Sequence, residues 1–539
     1  MKKITLLTAL VFLFTTTITA QSINWEWLKT NQSTSALFNY ASIANSSGEI
    51  YVTGQFHGQS ITFGNTTLTK TSSSPQVYIV KYNAEGNVLW ARTFNSQVAF
   101  RIASIALNSN GDIIIAGSYR GSVLLDSFEI TTPSPNDYFV VAKLSSAGSV
   151  SWVRTAGGPD GFPVSHAISI DSMNNIFVSG AFTSESFSIS EDISLQRTGF
   201  SHVFVAKYSS DGLPLWAKKN NYSSSVYHSQ PTSLSTDSDG NSYVSGPFGG
   251  TCTFEGNAVS TTSLTSSYLA KFSASGNVQF VKKYGGYLFG TKIKFDSQDN
   301  LYMTGGFANA VTLGQTNLTA TGNADIFLSK LNSNGDVLWA RKAGGTFAEI
   351  PYDIAIGGNA IYIGGYFTSS TLAFGTITLT NPMTVDVNGP SSSFVAKYDM
   401  QGNVLEAGAP VATGMNTLYS VCAAGDFAYC SGNYINDFTL GTTMISSANQ
   451  NIFVARLNTA PLSNKDFLIQ PLAVFPNPAK DILNIKSEKL LNSDYVIFDS
   501  TGRNMQHGSI GNNSIDITAL LSGIYILSTN GINTKFIKE

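Results

Sequence analysis

Few side chains in this 539-residue chain have the type and spacing that chemistry needs. Acid–base or nucleophilic catalysis requires paired carboxylates, or a nucleophile with its base, converging on one face. The five histidines, His57, His166, His202, His228 and His507, share no spacing, and Glu349 and Asp353 stand as candidate acids without an identifiable partner. No Gly-x-Ser-x-Gly elbow or phosphate-binding loop occurs, so no catalytic residue is assigned. Asp237-Ser238-Asp239-Gly240-Asn241 opens like a calcium loop, but position 12, where an EF-hand needs Glu, is Phe248. Asn108–Asp112 and Asn332–Asp336 look alike and fall at equivalent turns, where Asn, Asp and Gly serve positive-φ geometry. Ser235-x-Asp237 starts a sialidase-type Asp-box whose glycine comes one place late. Three cysteines and scattered histidines offer no zinc spacing, so neither metal nor cofactor is expected.

The cations recur instead of converging. Lys81, Lys143, Lys207, Lys271, Lys330, Lys397 and Arg456 form one series, and Lys29, Arg92, Arg154, Lys218, Lys282 and Arg341 another. A ring of cations suits an anion, but stems packed on neighbouring strands with charges reaching solvent explain the recurrence without one. The six tryptophans likewise lie in equivalent strands and read as packing before they read as a sugar platform. The aromatics of the variable connections exceed what a repeat needs. Phe162, Tyr227, Tyr287 and Phe347 are the candidate ligand contacts, since exposed aromatics on loops suit sugar or protein surfaces.

These residues hang on a repeated phrase, read once as Tyr78-Ile79-Val80-Lys81-Tyr82, a turn at Gly86, then Val88-Leu89-Trp90-Ala91-Arg92. An apolar run ending in Gly-x-Phe or Gly-x-Tyr precedes it. Gly54, Gly117, Gly180, Gly246, Gly305, Gly365 and Gly432 mark seven copies, 59 to 67 residues apart by subtraction. Each period holds about four strand-like runs, the first near 40–44, 49–55, 76–82 and 87–93. No long stretch shows helical periodicity, and charged residues are only 12%. Four strands repeated seven times predict an all-β fold, a seven-bladed β-propeller. The seventh copy stops after Phe453–Leu457 without a Trp strand, and Trp25–Thr30 matches the missing piece, with Trp27 on Trp90 and Lys29 on Arg92. An N-terminal strand completing the last blade closes a ring, whereas a solenoid, the other stacked-repeat architecture, has no use for it.

With these elements quoted, the region from Ile23 to Asn458 resembles the secreted bacterial β-propeller repeat family. It departs at Phe280, which replaces Trp, and at Glu406 and Gly408, which leave the sixth outer strand the weakest. Ahead of it, Met1-Lys2-Lys3 and the apolar run from Ile4 to Phe14 read as a signal peptide, residues 1–20, too short for a span of about 20 apolar residues. No transmembrane segment is expected in the mature chain. Net charge is −3, which favours neither nucleic acid nor an anionic membrane. Cys422 and Cys430 flank a hairpin turn, as a cross-strand disulfide or, more plainly, two small buried side chains.

The expected domains are a propeller over 21–458, a linker over 459–470 and a separate module over 471–539. The module carries Pro476-Asn477-Pro478, then Asp499 to Gly502-Arg503, then Gly523 and Tyr525, among short strands that suit a small antiparallel β-sandwich. It resembles the type A C-terminal sorting domain of type IX secretion in Bacteroidetes. The resemblance implies that the type IX machinery and its sortase are partners, that export crosses the outer membrane, and that the product is extracellular or attached to the surface. The reading is an exported propeller that binds a glycan or protein ligand. The alternatives are a propeller enzyme acting on polysaccharide and a purely structural surface protein.

Overall fold

The computed structural model describes residues 21–458 and 474–539, apart from 32, 34, 134, 159–163, 200, 223–230, 384–388, 487–492, 500–502 and 530–531. The expected signal peptide, 1–20, and linker, 459–470, lie outside the described residues. Every regular element among the described residues is a strand. Contacts divide the chain into two compact units, Met1–Thr459 and Ala460–Glu539.

In the first repeat Leu37–Ala44, Ile50–Phe56, Gln76–Tyr82 and Val88–Thr93 pair antiparallel in that order. The two middle strands are buried on both faces, which is why their alternation is weak. The same order follows six further first strands: Ala99–Leu107, Val164–Ile170, Ser233–Thr236, Tyr287–Phe295, Glu349–Gly357 and Asn416–Ala424. In the last of these sheets the fourth strand is Trp25–Thr30, paired antiparallel with Thr443–Leu457. Trp27 stands opposite Arg456 as Trp90 stands opposite Lys81. The architecture is thus an all-β repeat of propeller type.

Each outer-strand aromatic reaches the next repeat. The Trp90 indole lies where a Cβ on Gly148 would meet it, and its Nε1–H donates to Ser146 O at 3.3 Å. Trp27 does the same to the first repeat, covering Gly86 and donating to Ala84 O at 2.8 Å. These glycines have positive φ, 77° at Gly86 and 88° at Gly148, which a side chain rarely adopts.

Four strands per period undercounts the chain. A short hairpin, Ser60–Phe63 with Thr66–Thr69, leaves between the second and third strands and buries Ile61, Phe63 and Leu68. In the fourth and seventh repeats it is continuous with its neighbours, as Ser242–Phe254 with Asn257–Phe272 and Phe427–Leu440 with Thr443–Leu457.

The Gly-x-Phe signature has a steric cause. Six of the seven first strands bulge opposite the glycine, as between Asn39 and Ala41, Ile102 and Ser104, or Pro351 and Asp353. The bulge presses a carbonyl on the neighbouring strand, and a Cβ on Gly54, Gly117 or Gly365 would overlap Phe38 O, Arg101 O or Ile350 O. Phe56 and Phe367, two residues on, are fully buried.

The first cation series does not reach solvent as expected. Lys81 pairs with Glu49 at 2.9 Å, Lys143 with Asp112 at 2.9 Å and Lys207 with Asp171 at 3.4 Å, all low in exposure. The acids sit in the turn after the first strand, within reach of the ammonium two strands away. The second series does cap the next repeat, as where Arg154 Nε–H donates to Gly212 O at 2.9 Å. Cys422 and Cys430 are free and buried. Cys422 stands opposite Tyr429 and Cys430 opposite Val421, so their side chains leave opposite faces of the sheet.

The C-terminal unit has two small antiparallel sheets, Val474–Phe475 with Ile482–Ile485 and Ser514–Asp516, and a second built on Asp494–Asp499 and Gly523–Thr529. Leu483, Ile497, Ile515, Leu527 and Phe536 form its core.

Trp27→Ala removes an indole, a hydrogen bond and the cover of Gly86. It is expected to cost about 3 kcal/mol, close to Trp90→Ala, in urea unfolding. A loss below about 0.5 kcal/mol for Trp27 alone would show that the N-terminal strand is not held like the internal ones.

Candidate functional site

The first strands of all seven repeats line one cavity of about 170 Å³. The residue at or just after each bulge sets its wall. Directly after the bulge stand Ala41, Ser104, Ala167, Lys292, Asp353 and Ser420, with Ser233 at the matching place of the fourth repeat. Five repeats therefore use Ala or Ser, while the fifth and sixth bring charge. One place earlier, the sixth, seventh and first repeats carry Tyr352, Tyr419 and Tyr40.

Two of these tyrosines stack on one another. Tyr352 stacks on Tyr419 with centroids 5.3 Å apart and planes at 22°, and its other neighbour, Tyr366, is 5.4 Å away. Tyr40 donates to Gln55 Oε1 at 3.0 Å, and the Arg101 guanidinium lies 4.5 Å from its ring centre. All four rings are half-buried. Asp353 Oδ2 accepts from Ser420 Oγ at 3.0 Å and Val421 N at 3.1 Å, and Oδ1 accepts from Ile354 N at 2.9 Å. Burial raises its carboxyl, against the pull of Lys292, those donors and Lys294. Burial lowers the Lys292 ammonium, with Asp353 opposing. Lys292 Nζ donates to Thr232 O at 2.8 Å.

Asp353 thus has the partner its sequence position hid. Glu349 has a different role. It is fully buried, accepts from Gly345 N at 2.8 Å and from Ser369 Oγ, and so pins the Gly344–Phe347 connection. Burial pushes its carboxyl up to about 7, against the Ser369 and Gly345 donors. His202 is also fully buried, its Nε2 accepting from Thr198 N and Gly199 N while Nδ1 meets Asn220 O at 2.5 Å. The calcium-like Asp237 spends its oxygens on its own turn, accepting from Asn241 N at 2.8 Å and Nδ2 at 2.9 Å.

Of the expected ligand contacts, Phe162 and Tyr227 lie outside the described residues. Tyr287 is 38% exposed and meets Phe289 edge-on at 5.7 Å. Phe347 is half-buried, and its backbone is fixed by Ser369 Oγ at 2.7 Å and by donation from Asn323 and Ala324. Two further connection aromatics, Phe94 and Phe100, are core. The tyrosines of the cavity went unnoticed in the sequence, where the only signal is their position 13 or 14 residues before the marker glycine.

In the C-terminal unit the sorting residues tie the fold together. Asn477 Oδ1 accepts from Ile537 N at 2.9 Å, and Pro476 and Pro478 flank it. Asp499 accepts from Arg503 N at 3.0 Å and Nε at 3.1 Å, and Gly502 lies outside the described residues. Tyr525 stacks on Phe536 at 5.7 Å and donates to Leu521 O at 2.8 Å, two residues before Gly523.

The raised Glu349 carboxyl implies a pH effect of definite sign. The folded state holds the proton more tightly than the unfolded chain, so the contribution is complete below about pH 4.5 and is lost as pH rises through about 7. Glu349→Gln should remove this fall, on the order of 3 kcal/mol. Urea midpoints at pH 5 and pH 8 for both proteins test it, and parallel slopes would contradict it.

Residues 473–539 match the family described as Secretion system C-terminal sorting domain. The chain is 24% identical over 411 residues to the uncharacterized WD repeat-containing protein L264 of Acanthamoeba polyphaga mimivirus, covering 62% of this chain and 29% of that protein. The chain therefore spans less than a third of the length of the relative it matches. Among solved structures, a protein of unknown function from Dyadobacter fermentans is 9% identical over 81% of this chain and 99% of its own, with a TM-score of 0.37. PorZ, a surface component of the type IX secretion system of Porphyromonas gingivalis, is 10% identical over 95% of this chain and 100% of its own, with a TM-score of 0.13. At such scores neither likeness carries an argument. No helix among the described residues is long and apolar enough to cross a membrane. The chain is an all-β repeat protein of propeller type whose residues 473–539 are a secretion system C-terminal sorting domain, the address for type IX export to the cell surface or the extracellular space.

Proposed function

We propose that the seven sheets are the blades of a closed β-propeller and that the exported protein binds a glycan or protein ligand. The axial cavity is the main contact, and the aromatic connections add to it. The observation that carries this is the wall of Tyr40, Tyr352 and Tyr419, drawn from three repeats to one place where four others keep small or polar residues. Closure is supported by the first strands, which neighbour one another in chain order, the last lying against the first. It is supported too by Trp27, which locks the seventh sheet to the first repeat as the internal tryptophans lock theirs. Residues 1–20 serve as signal peptide, 21–458 as propeller, 459–470 as linker, and 471–539 as the sorting domain that the sortase removes.

Two experiments test the reading. Glycan-array and pull-down binding by the exported protein should fall at least tenfold in Tyr352→Ala or Tyr419→Ala, and less in Tyr287→Ser and Phe347→Ser, with thermal melting nearly kept. Binding untouched by all four, or no ligand at all, overturns it. For delivery, deleting residues 471–539 should leave a protease-resistant propeller in the periplasm, while the intact protein appears outside the cell without its tail. Cell fractionation with immunoblotting reads this out, and wild-type export of the truncated chain would sink the sorting role.

A further inference from the structure

We infer that the axial cavity takes a single anionic monosaccharide unit, held by ring stacking on the tyrosine wall and by charge from the fifth repeat. The inference rests on the proposed ligand-binding function and narrows its ligand class.

Size sets the first limit. A cavity of about 170 Å³ has room for roughly five or six waters at about 30 Å³ each. It lies below the roughly 300–1,000 Å³ of pockets that enclose a drug-sized ligand. One terminal sugar ring is of this order, and a polymer chain is not. Tyr40, Tyr352 and Tyr419 bring aromatic carbon to the lining, which suits the C–H face of a pyranose. Ser104 supplies a hydroxyl elsewhere on the lining, while those of Ser233 and Thr232 are bonded to Ile293 O and Thr291 O.

Charge sets the second. Lys292, Lys294 and Asp353 are the charged residues on the lining. Asp353 is consumed by three donors of its own protein, from Ser420, Val421 and Ile354. Among the described residues Lys292 makes one hydrogen bond, to Thr232 O, and an ammonium has three donors. Lys294 is exposed, two places along the same strand. Five of the other repeats place Ala or Ser at the position of Lys292 and the sixth places Asp353, so the repeat itself does not require the cation. Available donors are therefore cationic, and the available acceptor is already filled. Such a site favours a sugar bearing a carboxylate or sulfate over a neutral one.

Calorimetric titration of the full exported protein with galacturonic acid, galactose 6-sulfate and galactose tests this. At least one anionic sugar should bind tenfold or more tightly than galactose, and which one does identifies the anion. Lys294→Gln, at an exposed side chain, should erase most of that preference without altering melting. Lys292→Met should do likewise, and Tyr419→Ala should weaken every sugar alike. Equal binding of the three sugars, a preference that survives both lysine changes, or no binding of any of them overturns the inference. Binding of a neutral glycan or a protein that needs Tyr352 and Tyr419 but neither lysine would leave the binding function standing and remove only the anionic class.

Discussion

The structure depends on one contact, made again at each step along the chain. An aromatic on the outer strand of one repeat lies on the positive-φ glycine in the last turn of the next. Trp152 meets Gly212, Trp216 meets Gly276 and Trp339 meets Gly402 as Trp90 meets Gly148. The indole N–H takes a turn carbonyl, as Trp216 does with Ala274 O at 3.2 Å. Where Phe280 replaces Trp, the ring still contacts Gly335, and Tyr284 donates its hydroxyl to Gly335 O at 2.7 Å instead. Stability in such an array is carried between neighbours, so each repeat is only as secure as the turn it leans on.

The sixth repeat shows the rule by its exception. Glu406 stands where the others have an aromatic, and the seventh repeat is the one whose last strand comes from Trp25–Thr30 rather than from a turn. There is no turn glycine for a tryptophan to cover. Glu406 is nearly buried and pairs with Lys397 at 3.0 Å instead. Gln21–Ser22 adds to the same strand in parallel, and Ile23 packs beside Gly408. A buried ion pair stabilises little beyond its own desolvation. The strand that read as the weak point is secured by the added N-terminal segment.

Charge is spent with the same economy. The acids that resemble fragments of a calcium loop hold their own turns, and Asp112 and Asp237 also pair with third-strand lysines, Lys143 and Lys271. Repeated lysines on the third strands are therefore largely internal, and they offer little to a ligand. What remains for recognition is what departs from the repeat: a lysine and an aspartate where Ala or Ser is usual, and tyrosines on three adjacent bulges. The bulge matters here because it shifts the face on which each following residue lies, and so decides which side chains line the shared cavity.

The sequence by itself determined the period, the all-β class, the match of Trp25–Thr30 to the absent last strand, and the sorting module, because each is written in local order: a strand phrase, a turn glycine, or a motif such as Pro476-Asn477-Pro478. It also flagged Glu406 as irregular without showing why. The extra hairpins escaped because Ser60–Thr69 is polar outside Ile61, Phe63 and Leu68, and so lacked a clear strand signal. Only the tertiary structure decided the lysine–acid pairing, the burial of Glu349 beneath Gly345, and the gathering of Tyr40, Tyr352 and Tyr419. Those tyrosines come from repeats far apart in the chain or separated by a whole period. They reach one cavity from first strands that each bulge where a carbonyl is pressed over a glycine, and strict alternation along the sequence cannot register a residue that a bulge has turned to the other face.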